Sequence, residues 1–567
     1  MPESLPRREF LQKSAAGTAL LASPLLADDQ PREKLDHEAF GRSGMVTCSS
    51  HPACDVGVDI LQSGGNAVDA AVAVGFAMAV THPPAGNIGG GGFMLIHPPG
   101  KKPVCIDYRE IAPAAAKVDM FAGGFDPHDH KSVGVPGTVL GFAAAHRRFG
   151  KLQWKKLVEP AVGLAGEGFE LDARIAESLN ELLADSRGMD ELQRVFGKKD
   201  RWQAGDRLVQ PDLAETLAAI AARGPKAFYA GAVAEKLVAE MKSGGGLITL
   251  EDLKNYAAKV RPPIQTTFCG HDIFGPPPPS SGGITLSLML NMLETFPLDR
   301  QERFSAKTLH PMNEVMKRAY RDRAAHLGDA DFVKIPAKLT SKKYARQLAQ
   351  RIDASRATPS EKLAGEIKLA AEGDSTTHYS IIDADGLAVS NTYTLEQSYG
   401  SRIVVRGAGF LLNNEMGDFN RRPGHTDVVG RIGTPANLIA PGKRMLSSQC
   451  PTIAAKDGEP RLITGSPGGR TIINTVLCNL LNVLQFKMPL REAVAAPRLH
   501  HSWFPDVARL EQFDGLPTDE TVAALREFGH ELLIGGTQGN AHSIHVTEDG
   551  YVGVADRRRF RGAARGY

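Results

Sequence analysis

The chain has 567 residues, 42% of them hydrophobic and 23% charged, a balance that suits a soluble globular protein and excludes wholesale disorder or a membrane bundle. Lys and Arg number 66 against 64 for Asp and Glu, and the resulting formal charge of +2 gives no basic field for nucleic acid, which is excluded as a partner. The 59 glycines are the unusual count.

The amino terminus, "PRREFLQKSAAGTALLASPLLADDQ", sets Arg7 and Arg8 before Phe10-Leu11 and an apolar run from Ala15 to Leu26. This reads as an export signal of the twin-arginine type over residues 1–27, cleaved after Ala27. The run is about half of the roughly 20 residues a bilayer crossing needs, so no stable membrane anchor is expected and the location is periplasmic or secreted. Cys48, Cys54, Cys105, Cys269, Cys450 and Cys478 form no Cys-x-x-Cys, and most of them read as buried small residues. His128-Asp129-His130 and His500-His501 are the clustered histidines, read as loop or surface residues. Neither metal nor cofactor is expected.

After a polar lead-in at Asp36–Ser43, "GVDILQSGGNAVDAAVAVGFAMAV" predicts two helices parted by Gly64-Gly65, the second apolar all round and therefore buried on every side. In "THPPAGNIGGGGFMLI" a Pro-rich break and four glycines at 89–92 precede a strand, without the Lys-Ser/Thr of a phosphate-binding loop, so close backbone packing is the better account. From Lys151 to about Arg351 the pattern is helical, interrupted by "GPPPPSSGG", a rigid loop inside one fold. Ser355–Asp374 is the most linker-like stretch.

From Thr376 the pattern turns alternating and β-branched. "TTHYSIID-ADG-LAVSNTYT" predicts a hairpin turning at Asp383–Gly386, with facing residue numbers summing to about 769, which brings Thr376 opposite Tyr393 or Thr394. A threonine hydroxyl needs a base, and a free α-amine, with an ordinary pKa of about 7.7–8.0, serves if the threonine begins a chain. That requires cleavage of the Ser375–Thr376 bond; the plainer reading of Thr-Thr is a β-prone strand start. Further on, Gly468-Gly469 in "TGSPGGRTIINTVLCNLLNVL" sit where a helix begins near Arg470, so that their N–H groups meet the requirement for an oxyanion hole. Ser466 lies outside a Gly-x-Ser-x-Gly frame.

The motifs "AGNIGGGGFMLI", "DYREIAP", "PPPSSGGI", "YRDRAAHLGDADFV", "TTHYSIIDADGLAVSNTYT", "LLNNEMGDF", "ANLIAPGKRMLSSQCPTI" and "TGSPGG" run from about Phe40 to the carboxyl end. Together they make the chain resemble the γ-glutamyltransferase (γ-glutamyl transpeptidase, glutathione hydrolase) family of N-terminal nucleophile hydrolases. The resemblance implies an α/β fold, a four-layer αββα sandwich built as one domain by a large subunit, 28–375, and a small catalytic subunit, 376–567, of a self-cleaved heterodimer. It implies a γ-glutamyl hydrolase and transferase that acts on glutathione and similar small γ-glutamyl substrates, with water or an amino acid or peptide as acceptor.

By the same resemblance, Thr376 is the nucleophile, Thr394 orients it, and Gly468 and Gly469 hold the oxyanion. Arg109, with Ser447 and Ser448, grips the α-carboxylate of the donor, a planar task suited to a guanidinium. Glu396, Glu415 and Asp418 hold its α-ammonium. Many family members carry asparagine at the position of Glu396. "RRPGHTDVVGRIGTPAN" matches the lid of some members, with Val429 where an aromatic gate residue often stands. Three alternatives remain: an acylase for glutaryl β-lactam side chains, disfavoured by the three acids; a poly-γ-glutamate depolymerase, disfavoured by the lid; and an uncleaved, inactive binding protein.

Overall fold

Alternate β-branched and aromatic residues make Thr377–Ile382 and Ala388–Thr394 an antiparallel hairpin in which Thr377 faces Tyr393 and Ile382 faces Ala388. The turn lies at Ala384-Asp385, where the Asp383 carboxylate accepts from the Asp385 and Leu387 amides. In this computed structural model the described residues are 36–186, 188–365, 376–429, 431–560 and 562–567. The export signal at 1–27, Ser375 and the linker-like residues 366–374 lie outside them.

The hairpin forms the middle of a seven-stranded antiparallel sheet in the order Ala563–Gly566, Met45–Cys48, Thr377–Ile382, Ala388–Thr394, Gly91–His97, Val104–Asp107 and Lys259–Arg261. A second antiparallel sheet runs Glu38–Gly41, Tyr551–Ala555, His542–Val546, Glu459–Thr464, Thr452–Lys456, His271–Gly275 and Ile264–Phe268. Side chains alternate across each strand, so Tyr379, Ile381, Val389 and Tyr393 join one core while Ile382 and Ala388 join another. The latter core lies between the sheets and includes Phe93, Leu95, Ile453, Ile463 and Ile544.

Helices cover both outer faces. His51–Gln62, Ala67–Thr81, Thr138–Phe149 and Trp154–Gly166 pack on the hairpin sheet, and Gly282–Leu293, Ala306–His326 and Thr471–Leu480 pack on its partner. The architecture is the expected four-layer αββα sandwich. Ala67–Thr81 is buried along its whole length, and its start is fixed by an Asn66–Asp69 capping box. Among the described residues no helix is long and apolar enough to cross a membrane.

Three local expectations change. The polar lead-in contains strand Glu38–Gly41, paired with Tyr551–Ala555; an edge strand tolerates polar residues, and its partner lies too far along the chain to be foreseen. His500 and His501 are buried, because Asn474 meets His500 Nδ1 at 2.7 Å and Asp506 meets His501 Nε2 at 3.2 Å. The linker-like stretch is anchored at Ser360, whose amide and hydroxyl both donate to Asp506 at 2.7 Å and whose carbonyl accepts from the Trp503 indole at 2.9 Å.

The four glycines at 89–92 have the close backbone neighbours expected of them. A Cβ on Gly89 would stand 2.1 Å from the Leu411 carbonyl oxygen, and one on Gly90 would stand 2.0 Å from that of Thr394. Gly90→Ala is therefore expected to cost about 1–3 kcal/mol through overpacking, read as a lower urea midpoint. A midpoint equal to that of the parent would contradict this account of the glycine run.

Candidate active site

Strand alternation turns Thr376 and Thr394 to the same face as His378 and Thr392, toward the second sheet, at the end of the hairpin. Thr376 Oγ1 lies 3.4 Å from Thr394 Oγ1, which accepts the Glu396 amide at 2.8 Å. Glu396 takes a positive φ of 81° to do so, an uncommon state for a side chain with a Cβ. His378, the nearest histidine in sequence, is occupied elsewhere: Nδ1 meets Thr392 Oγ1 at 2.8 Å and Nε2 meets Ser380 Oγ at 3.0 Å. Complete burial depresses its pKa well below the ordinary value, which suits a neutral structural ring.

A cleft of about 340 Å³, measured with its space open to solvent, is lined by Arg109, Thr376, Thr394, Glu396, Glu415, Asp418, Ser447, Ser448 and Gly469, together with Gln449, Arg470 and Ile472. Nine of the ten residues singled out for binding and catalysis thus share one cavity. Gly468, the chain neighbour of Gly469, is not in the lining. Gly468 and Gly469 have φ values of 128° and 48°, and the Gly468 carbonyl accepts from both the amide and the hydroxyl of Thr471 as the helix begins.

Arg109 is 1% exposed and sits among carboxylates: Nη1 is 2.7 Å from Glu415 and 3.4 Å from Glu110, and Nη2 contacts Asp418. The cation and the acids, assigned above to opposite ends of a ligand, are paired with each other. Burial works against the guanidinium charge, but Glu415, Glu110 and Asp418 outweigh it and hold its pKa above the ordinary value. One cation faces three acids, so burial pushes Glu110 up to about 7 and raises Glu415 well above the carboxylate range, against the pull of Arg109. Glu415 is wholly buried, and among the described residues neither of its oxygens accepts a hydrogen bond; its contact with Arg109 is close but out of line. Such a site favours an added cation with N–H donors.

The loop that carries these acids is held by its own asparagines. Asn413 Oδ1 accepts from the Glu415 amide at 3.1 Å and the Gly134 amide at 2.9 Å, and the Asn414 amide donates to the Leu395 carbonyl at 3.0 Å. The serine pair is held through the neighbouring helix: Arg323 donates to Ser448 Oγ and to Ser281 Oγ, each at 2.9 Å, and the Ser281 hydroxyl donates to the Ser447 carbonyl at 2.7 Å.

The Gamma-glutamyltranspeptidase family matches residues 53–566. The chain belongs to this family. It is 43% identical over 581 aligned positions to the glutathione hydrolase proenzyme of Escherichia coli K12, covering 98% of this chain and 99% of that one. The gamma-glutamyltranspeptidase structure of Helicobacter pylori is similar with a TM-score of 0.55 at 38% identity, over 60% of this chain and all of that one. A cephalosporin acylase from Bacillus halodurans superposes with a TM-score of 0.84 over 97% of this chain and 99% of that one; at 24% identity this likeness is one of fold.

For this gamma-glutamyltranspeptidase family member, several residues at the site had no role assigned from sequence. Arg323 lies inside the quoted "YRDRAAHLGDADFV" and Arg470 directly follows the glycine pair, so both motifs contained the signal. Glu110, next to Arg109 in the motif "DYREIAP", is buried against it, and its Oε1 has no hydrogen-bond partner among the described residues. Val429 donates its amide to Asp427 and does not line the catalytic cleft.

Glu110 carries a testable pH dependence. Its folded pKa of about 7 lies above its ordinary 4.5, so between these values the folded chain binds more protons and stability falls as pH rises. Glu110→Gln keeps the shape and removes the ionisation. Its urea midpoint relative to the parent is expected to climb from pH 4.5 to about 7 and then hold; a difference independent of pH would contradict a buried, titrating Glu110.

Proposed function

We propose that the chain is a γ-glutamyl hydrolase and transferase that cleaves glutathione and related small γ-glutamyl amides through a γ-glutamyl ester on Thr376. The observation that carries this reading is the buried Glu415 carboxylate, without a hydrogen-bonded partner among the described residues, in the same cleft as Arg109 and the Thr376–Thr394 hydroxyl pair. A γ-glutamyl donor ends in an α-ammonium and an α-carboxylate. The ammonium supplies the missing charge and donors to Glu415, Asp418 and Glu396, and the carboxylate takes Arg109 N–H groups now turned to Asp418, with the hydroxyls of Ser447 and Ser448. The glutathione hydrolase proenzyme from Escherichia coli supports the same substrate class.

The chemistry begins with maturation. Thr376 Oγ1 attacks the Ser375 carbonyl carbon, the peptide bond to the Thr376 nitrogen breaks, and water hydrolyses the ester, leaving a free α-amine on Thr376. The products are a large subunit ending at Ser375 and a small one beginning at Thr376, held together because each sheet contains strands from both sides of the cut. In turnover the α-amine accepts the hydroxyl proton as Oγ1 attacks the γ-carbonyl, and Thr394 orients the attacking oxygen. The Gly468 and Gly469 amides stabilise the oxyanion. Collapse expels the leaving amine, which takes the proton back from the α-ammonium; water or an amino acid or peptide amine then reverses the sequence. The twin-arginine-type export signal read at 1–27 supports a periplasmic or secreted location for the folded protein.

A denaturing gel is expected to resolve two fragments from the parent and one band from Thr376→Ala, which should also be inactive. Two bands from that variant would refute the nucleophile. The parent is expected to hydrolyse a γ-glutamyl anilide at least about a hundredfold better, by kcat/KM, than the glutaryl anilide that lacks the ammonium, because that donor leaves a buried charge unpaired. Equal values would refute the ammonium pocket.

A further inference from the structure

Next to the catalytic cleft lies a larger one, of about 790 Å³ including space open to solvent, between the turn at Phe121–Phe125 and loop residues 419–422, 425, 431 and 432. Its charged lining is of one sign. Arg421, Arg422, Arg431 and Arg470 contribute guanidinium groups, His425 adds an imidazole, and the lining includes no carboxylate. The arginines are set on an aromatic and backbone frame: Arg421 lies 4.2 Å above the Phe125 ring, which packs edge-on against Phe121 at 4.9 Å. The loop is closed at its base by Gly424–Gly433 and Thr426–Gly433 hydrogen bonds of 2.8 Å. Asp427, 3.5 Å from Arg431 on the exposed side, is a weak surface partner.

The two clefts meet. Arg470 lines both, and Gly417 of the outer cleft is joined by one peptide bond to Asp418 of the inner one. Charge therefore changes sign across the mouth of the site, from the acids around Arg109 to the arginines beyond Arg470. An electrostatic boundary of this kind sorts ligands by where their charges lie.

We propose that this outer cleft is the subsite for the leaving amine and the acceptor, and that it selects those carrying a carboxylate or another anionic group. The inference rests on the γ-glutamyl chemistry proposed above. With the acyl portion held against Arg109 and Thr376, the departing half of the amide extends across the scissile bond toward the mouth, where Arg470 and the outer arginines begin. Transfer is the reverse of acylation with a different amine, so the acceptor occupies the same space. An amino acid or a peptide with a free carboxyl end presents its amine to Thr376 and its carboxylate to the guanidinium groups, which bind planar anions through paired N–H donors. A neutral aryl amine makes no such contact.

The test compares L-γ-glutamyl-4-nitroanilide with L-γ-glutamyl-3-carboxy-4-nitroanilide, which differ by one negative charge on the leaving group. The quotient of their kcat/KM values is measured for the parent, for Arg422→Gln/Arg431→Gln and for Arg431→Glu; both arginines are exposed, so the variants are expected to fold. Comparing quotients between proteins cancels the intrinsic reactivities of the two anilides. The double variant is expected to lose about two- to fivefold of the preference for the carboxylated anilide, and Arg431→Glu at least as much. In the parent, 0.5 M salt should erode the preference in the same direction. Turnover of both anilides with the same quotient in all three proteins would overturn the subsite while leaving the γ-glutamyl activity intact. Turnover of neither by any protein would remove the activity and the subsite together.

Discussion

Thr377 stands opposite Tyr393, and this pairing decides where chemistry can occur in the molecule. Side chains alternate along a strand, so the register turns Thr376 and Thr394 toward the same side and sets their hydroxyl oxygens 3.4 Å apart. A slip of one residue would send one of them into the helix-facing core with Tyr379 and Tyr393. The register is itself held from both flanks, by Met45–Cys48 on one side and by the glycine-led strand Gly91–His97 on the other. The close approach of Gly90 to the Thr394 carbonyl ties the structural reason for glycine directly to the position of a site residue.

The second determinant is electrostatic. Arg109 is buried with more acid than it can neutralise, and the cost of that arrangement is visible in the upward shifts of Glu110 and Glu415. A fold does not gain stability by such crowding; it is the state of a pocket whose complement arrives with the ligand. Arginines gather in the neighbouring cleft that Arg470 also lines, so a donor seated as proposed would place its acyl group and its amine in environments of contrary sign.

Local signals made much of this legible in the sequence. The hairpin and its turn followed from alternation over residues 377–394, and the observed pairing sum of 770 differs by one from the expected value. The helices either side of Gly64-Gly65 and the helix after Gly468-Gly469 were visible from apolar runs and glycine punctuation. The members of the cleft lie far apart in the chain, and only the family motifs joined Arg109 to Glu415, Ser447 and Thr376. What stayed hidden depended on distant partners with no periodic trace. Glu38–Gly41 pairs with residues more than 500 positions later, His500 is buried against Asn474 of a preceding helix, and Arg323 reaches Ser448 from a helix 125 positions earlier.

Among the groups lining the cleft there is neither histidine nor lysine, and the account assigns the missing base to the amine that cleavage creates on Thr376 itself. The most direct test follows a slowly maturing preparation, determining at intervals the fraction of chains whose amino-terminal sequence begins "TTHYS" and the γ-glutamyl hydrolase activity of the same samples. The account predicts activity in strict proportion to that fraction, extrapolating to zero for intact chains. Full activity in chains still joined through Ser375 would contradict it.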